Sequence, residues 1–281
     1  MPLTLPSTRD VVSLNPERRG SLGNLTGVLR AYGDGKIFGE AFGDGPADVV
    51  WLHGWARSST DFAVAGAQLA AAGVSSVALD LPGSGASPPP TIAGGAALYA
   101  GLVRETLTAM GGAPVVLVGH SFGGRVATVL AADHPELIAT LVLTGAPLVR
   151  RAGATDRAPR GYRWVRAAHR RGWISEARME AARQKYGSLD YRRASGVMRD
   201  VLVASVNESY EEQLGRIVAP VDLVWGRDDH DVPVAVAERA RELLTRSRDV
   251  TLEVLADTGH LVPSERPDAL VARVLSRRGG A

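Results

Sequence analysis

Six short apolar runs, "DVVWLHG", "SSVALDLPG", "PVVLVGHS", "ATLVLTGAP", "VDLVWGRDD" and "VTLEVLADTGH", constrain this chain more than any other feature. A run apolar on successive residues shows no polar face, because neighbouring side chains of a strand point to opposite sides. Such strands are buried on both faces, which is the habit of parallel sheets covered by helices. Helical patterns fall between the runs, around residues 60–72, 93–111, 121–134, 233–246 and 265–277. The alternation predicts an α/β fold with a mostly parallel, doubly wound sheet of about eight strands. Ahead of it, "GVLRAYGDGKIFGEAFGDG" reads as a hairpin turning at Gly33-Asp34-Gly35 and lying at a sheet edge.

One connection breaks the rhythm. From Ala146 to Pro220 no buried-strand run appears, and structureless loops are rarely that long. The segment reads as a helical cap over the carboxyl edge of the sheet. The expected division is a core of residues 1–146 and 218–281, with an irregular lead-in over 1–25, and a cap insertion over 147–217.

Bulk composition narrows the function classes. A formal charge of +2 gives no global field of the kind that draws nucleic acid, and none is expected as partner. With no cysteine, disulfides, thiolate metal sites and a cysteine nucleophile are excluded. The opening residues do not read as a signal peptide, and the charge-free stretches 81–103 and 106–124 are interrupted by "GSGASPPP" and "GGAP". A cytoplasmic protein with no membrane partner is the expectation; oligomeric state is not legible.

In an open parallel sheet, reactive groups gather where strands end. "VVLVGHSFGG" places Ser121 within G-x-S-x-G between a strand and a helix, a turn that exposes a hydroxyl at a helix amino terminus. A plain helix N-cap serine is the alternative. A nucleophilic serine needs a base, and of the six histidines His260, on the loop after the last strand, has the required place. His53 and His120 read as shaping residues beside the site, and His134 and His169 as surface groups. For the orienting acid, "VWGRDDHDVP" offers Asp228, Asp229 and Asp231, which composition does not separate; His230 reads as exposed. Two N–H donors for an oxyanion would come from Phe122, after the nucleophile, and Trp55, in the "WLHGW" loop.

With "LHGW", "DLPGSGAS", "GHSFGG", "WGRDDHDVP" and "GHLVPSERP" in this order, the chain resembles the α/β-hydrolase superfamily over about residues 27–278, the cap excepted. The resemblance implies Asp229 as the acid, bracketed by Trp225, Gly226 and Pro233, and gives "DLPGSGAS" a pocket-shaping part. Serine at position 121 sets the chain apart from the dehalogenases and epoxide hydrolases of that superfamily, which use aspartate there. The implied activity is hydrolysis of a small-molecule ester-like bond, with no metal or organic cofactor. Carbon–carbon bond hydrolysis, perhydrolysis and slow-turnover ligand binding are the alternatives on the same triad.

Substrate choice is expected to lie in the cap, where Tyr162, Trp164 and Trp173 are candidate substrate contacts; His120, beside the nucleophile, is a further one. "RRAGATDRAPRGYRWVRAAHRR" carries eight arginines against one aspartate and reads as a solvated helix face, with an anion-binding lid as the alternative.

Overall fold

The structure, a computed structural model, describes residues 27–149, 160–186, 189–206 and 208–278. Eight strands form one sheet: β1 (Val28–Tyr32), β2 (Ile37–Phe42), β3 (Val49–Leu52), β4 (Ser76–Asp80), β5 (Val115–His120), β6 (Ile138–Thr144), β7 (Val221–Gly226) and β8 (Val250–Leu255). Their order is β1-β2-β4-β3-β5-β6-β7-β8, antiparallel at the β1/β2 and β2/β4 pairs and parallel elsewhere. The hairpin forms as its sequence predicts. Gly33, Asp34 and Gly35 all take positive φ between β1 and β2, and β1 is the edge. The lead-in over 1–25 lies outside the described residues.

Each expected helical pattern becomes a helix. α1 (Ala63–Ala71) follows a 3-10 turn over Ser59–Phe62; α2 is Ala96–Ala109 and α3 is Phe122–Asp133. Between β6 and β7 come α4 (Arg160–Arg170), α5 (Glu176–Tyr186), α6 (Leu189–Arg193), α7 (Gly196–Val206) and α8 (Glu211–Arg216). Then follow α9 (Val234–Leu243), α10 (Val262–Glu265) and α11 (Pro267–Arg278).

The two-residue period of the strands sorts the core into two layers. Val50, Leu52, Leu117, Leu141 and Leu143 pack with α2, α3, α8 and α9 on one face. Val49, Trp51, Val116, Val118 and Val142 pack with α1, α10 and α11 on the other. Burying each such side chain contributes roughly 1.5–3 kcal/mol, so the central strands hold the sheet to both helix layers. β8 differs from the expectation of a fully buried run, because it is an edge strand and its Thr251 and Glu253 remain half-buried.

α4 packs on α5, α5 on α6 and α6 on α7. α7 reaches the core, where Met198 Sδ lies 3.9 Å from the Tyr99 hydroxyl and the Ser205 carbonyl accepts from Arg125 Nη1 at 2.8 Å. α8 departs from the expected cap boundary at 217. It packs on α3 and α9, and Leu214 is fully buried in the core, because the chain has already returned at Tyr210, whose N–H donates to the Leu148 carbonyl at 3.1 Å.

Candidate active site

The loops leaving β3, β5, β6, β7 and β8 converge at the carboxyl edge of the sheet. Ser121 stands alone between β5 and α3 with φ 50° and ψ −112°, a region non-glycine residues avoid at a cost of about 1–3 kcal/mol. Its neighbours hold that conformation. The Ser121 N–H donates to the Thr144 carbonyl at 2.9 Å, and the Gly123 N–H donates to the His53 carbonyl at 3.0 Å. Only glycine fits at 123, since a Cβ there would lie 2.2 Å from the Leu52 carbonyl oxygen.

The Trp55 loop lies beside this turn, for a Cβ on Gly54 would sit 3.2 Å from both Ser121 and His120. His53 fixes the loop. Its Nε2 accepts the Leu81 N–H at 2.9 Å, which leaves the proton on Nδ1 to donate to the Gly54 carbonyl at 2.7 Å. In a trans peptide the Trp55 N–H points opposite to that carbonyl. Among the described residues neither the Trp55 nor the Phe122 N–H is taken by a hydrogen bond. The two side chains meet edge to face with ring centroids 5.7 Å apart.

Of the three aspartates after β7, Asp229 turns inward. Its side chain is 1% exposed; Oδ1 accepts the Val232 N–H at 2.7 Å, and Oδ2 meets His260 Nδ1 at 2.8 Å. Asp228 and Asp231 are exposed. The β7 and β8 loops are tied together by the Asp228 N–H donating to the Thr258 carbonyl at 2.9 Å. Asp229, Asp231 and His260 could offer donor atoms to a metal ion, lying within 4.8 Å of one another, but the first and last already face each other.

His120 is 1% exposed, its ring 4.9 Å from that of His260 and its Nδ1 3.2 Å from the Thr144 carbonyl. Burial first, and the proximity of His260 second, push its pKa down to about 3, so it stays neutral. Burial likewise lowers the pKa of His53. Gly145, at φ 56°, lies beneath both rings, because a Cβ there would approach His260 Cε1 to 3.0 Å and His120 Cε1 to 3.2 Å.

Several positions differ from the sequence expectations. Trp164 and Trp173 are 70% and 71% exposed, so they line no enclosed pocket, and Tyr162 packs on Tyr186 with ring centroids 5.8 Å apart. His120 is sealed beneath the site rather than open to a substrate. Two carboxylates escaped sequence reasoning. Asp80, buried, accepts from the Ser59 N–H at 2.7 Å and the Ala86 N–H at 2.8 Å, pinning the loops after β3 and β4 to each other. Glu265 accepts from the N–H groups on either side of His260, Gly259 at 2.6 Å and Leu261 at 3.1 Å. The signal for the second was the "GHLVPSE" spacing, which puts a carboxylate five residues after the histidine, at the end of the short helix that follows it.

This order of elements and loops matches a known family: the sequence profile described as "Alpha/beta hydrolase family" covers residues 49–274. The chain belongs to the alpha/beta hydrolase family. As a member it is similar to the dihydrolipoyllysine-residue acetyltransferase component of the acetoin cleaving system of Cupriavidus necator, 29% identical over 255 residues. That match covers 85% of this chain and 65% of the relative, less than two thirds of the relative's length. A 2-hydroxy-6-oxononadienedioate/2-hydroxy-6-oxononatrienedioate hydrolase of Klebsiella pneumoniae is 28% identical over 255 residues, 83% of this chain and 88% of the relative. Lipase LipV of Mycobacterium tuberculosis is 30% identical over 258 residues, 84% of this chain and 94% of the relative. This alpha/beta hydrolase is thus similar both to a hydrolase named for 2-hydroxy-6-oxononadienedioate and to a lipase.

Proposed function

We propose that the protein is a serine hydrolase that cleaves an ester-like bond of a small molecule through an acyl-enzyme. The observation that carries this reading is the contact at 2.8 Å between the buried Asp229 and the half-buried His260, beside a serine held at positive φ on a strand-to-helix turn. Ser121 Oγ attacks the carbonyl, and its proton passes to His260 Nε2, the nitrogen that the Asp229 contact leaves available. The Trp55 and Phe122 N–H groups donate to the oxygen as it gains charge. His260 returns the proton to the leaving group, and water activated by the same imidazole releases the acyl group. Helices α4 to α7 act as the cap, with Met198 and Tyr99 at its seat on the core. Similarity to a lipase of high coverage supports an ester substrate.

Intact-mass analysis after fluorophosphonate treatment tests the nucleophile. The unaltered protein gains one adduct, and Ser121→Ala and His260→Ala gain none; an adduct that persists in Ser121→Ala rejects the assignment. A second reading, hydrolysis of a carbon–carbon bond next to a ketone, is favoured by the similarity to the Klebsiella pneumoniae hydrolase. Turnover of a diketone in preference to every member of an acyl-chain ester panel would select it.

A further inference from the structure

We propose that the outer face of α4 and the turn after it form a docking surface for an anionic lipid bilayer. The inner face of α4 is committed to α5: Ala168 is buried, His169 Nε2 meets Glu176 at 2.7 Å, and Tyr162 packs on Tyr186. The opposite face is basic and aromatic. Arg163 and Arg170 lie two helical turns apart on one line of the helix with Trp164 on the adjacent line, and Arg171 follows in the turn directly after it, all four exposed. The Arg171 guanidinium sits over the Trp173 ring, 5.5 Å from its centroid, which extends the face into the turn.

Trp164 and Trp173 are the two most exposed large hydrophobic side chains among the described residues. Between Asp156 and Glu176 the sequence contains no acidic residue. Among the described residues, no ion pair ties Arg163, Arg170 or Arg171 to a carboxylate. An apolar protein partner would require a continuous apolar patch, and here each indole is flanked by guanidinium groups instead. That mixture suits the bilayer interface, where indoles rest at headgroup level and arginines reach lipid phosphates. The expectation of no membrane partner rested on spanning segments. Among the described residues no helix is long and apolar enough to cross a membrane, but a helix lying on the surface needs no span.

The face is separate from Ser121, so its test does not depend on the proposed reaction. Flotation of the full-length protein, read with tryptophan emission, is compared on phosphatidylcholine vesicles with and without phosphatidylglycerol, at low and high salt. Binding with a blue shift is expected on the anionic vesicles, weakened by salt and at least about tenfold weaker on the neutral ones. Combined Arg163→Gln, Arg170→Gln and Arg171→Gln should lower it at least about tenfold with an unchanged circular dichroism spectrum. The matching Arg→Lys variant, which keeps the charge, should retain it, as should Ser121→Ala. Absence of binding, equal binding to both vesicles, equal loss in the Arg→Lys variant, or tighter binding to single-stranded nucleic acid would overturn the proposal.

Discussion

Asp229 holds His260 through one carboxylate oxygen, Oδ2 to Nδ1 at 2.8 Å, while the other oxygen is anchored by the Val232 N–H at 2.7 Å. The acid is thereby fixed before it fixes the imidazole. Asp229→Asn keeps the shape but offers an amide N–H where the acceptor was, and favours the wrong tautomer of His260. A fall in kcat of about ten-thousand-fold is expected with little change in thermal stability. Steady-state kinetics on an activated ester, beside a melting curve, checks this; a loss below tenfold would mean that Asp229 does not orient the base.

Glu265 supports the same histidine from the opposite direction. Its carboxylate takes the Gly259 and Leu261 N–H groups, so the peptide units flanking His260 are held by one side chain. Removing it with Glu265→Ala leaves the loop held on the Asp229 side only. A misplacement near 1 Å can reduce rate about a hundredfold, and a fall in kcat of about 10- to 100-fold with KM unchanged is expected. Glu265→Gln should recover part of the rate, since an amide oxygen can still accept one of the two bonds. Equal kcat in all three proteins would assign Glu265 a surface role.

The extent of sequence legibility follows from what each signal encodes. The central strands were readable because Leu117 and Val118 must both be apolar when they face different helix layers. The hairpin was readable because Gly33-Asp34-Gly35 has few other uses. The place of α8 was not, since the segment's strand-free character is shared by helices inside and outside the core, and only the packing of Leu214 separates them. Nor was the orientation of Trp164 and Trp173, because aromatic identity fits a pocket wall and an exposed face equally well. Asp80 bonds to backbone N–H groups, which leave no pattern of side-chain types to recognise, and the place of Glu265 after "GHLVPS" gains a meaning only once its bonds to the Gly259 and Leu261 N–H groups are seen.

Far from the site, Arg277 neutralises a carboxylate that has no access to water. Asp222 in β7 is fully buried and accepts from Arg277 Nε at 2.8 Å and Nη2 at 2.6 Å, and from the Thr251 hydroxyl at 2.5 Å. Breaking such a pair by removing one partner typically costs about 3–5 kcal/mol, because the remaining charge stays buried. Arg277→Met should therefore lower stability by about that amount, and the double variant Arg277→Met with Asp222→Leu should recover much of it. Urea unfolding of the four proteins gives the comparison; additive losses would contradict a buried, coupled pair.

His120 makes stability depend on pH in a defined direction. Burial and the nearby His260 hold its pKa at about 3 in the folded protein, against an ordinary value of 6.5. Between those values the unfolded chain binds a proton that the folded chain refuses, so stability is fully present above pH 6.5 and declines as pH falls toward 3. At about pH 4.5 the loss from this group is about 2–3 kcal/mol, and burial of His53 acts in the same sense. Denaturant midpoints from about pH 7 to about pH 4.5 should fall more steeply in the unaltered protein than in His120→Gln, which cannot take the proton. Parallel curves would show that His120 is protonated within the fold, and that its buried, neutral place beneath His260 is not maintained in solution.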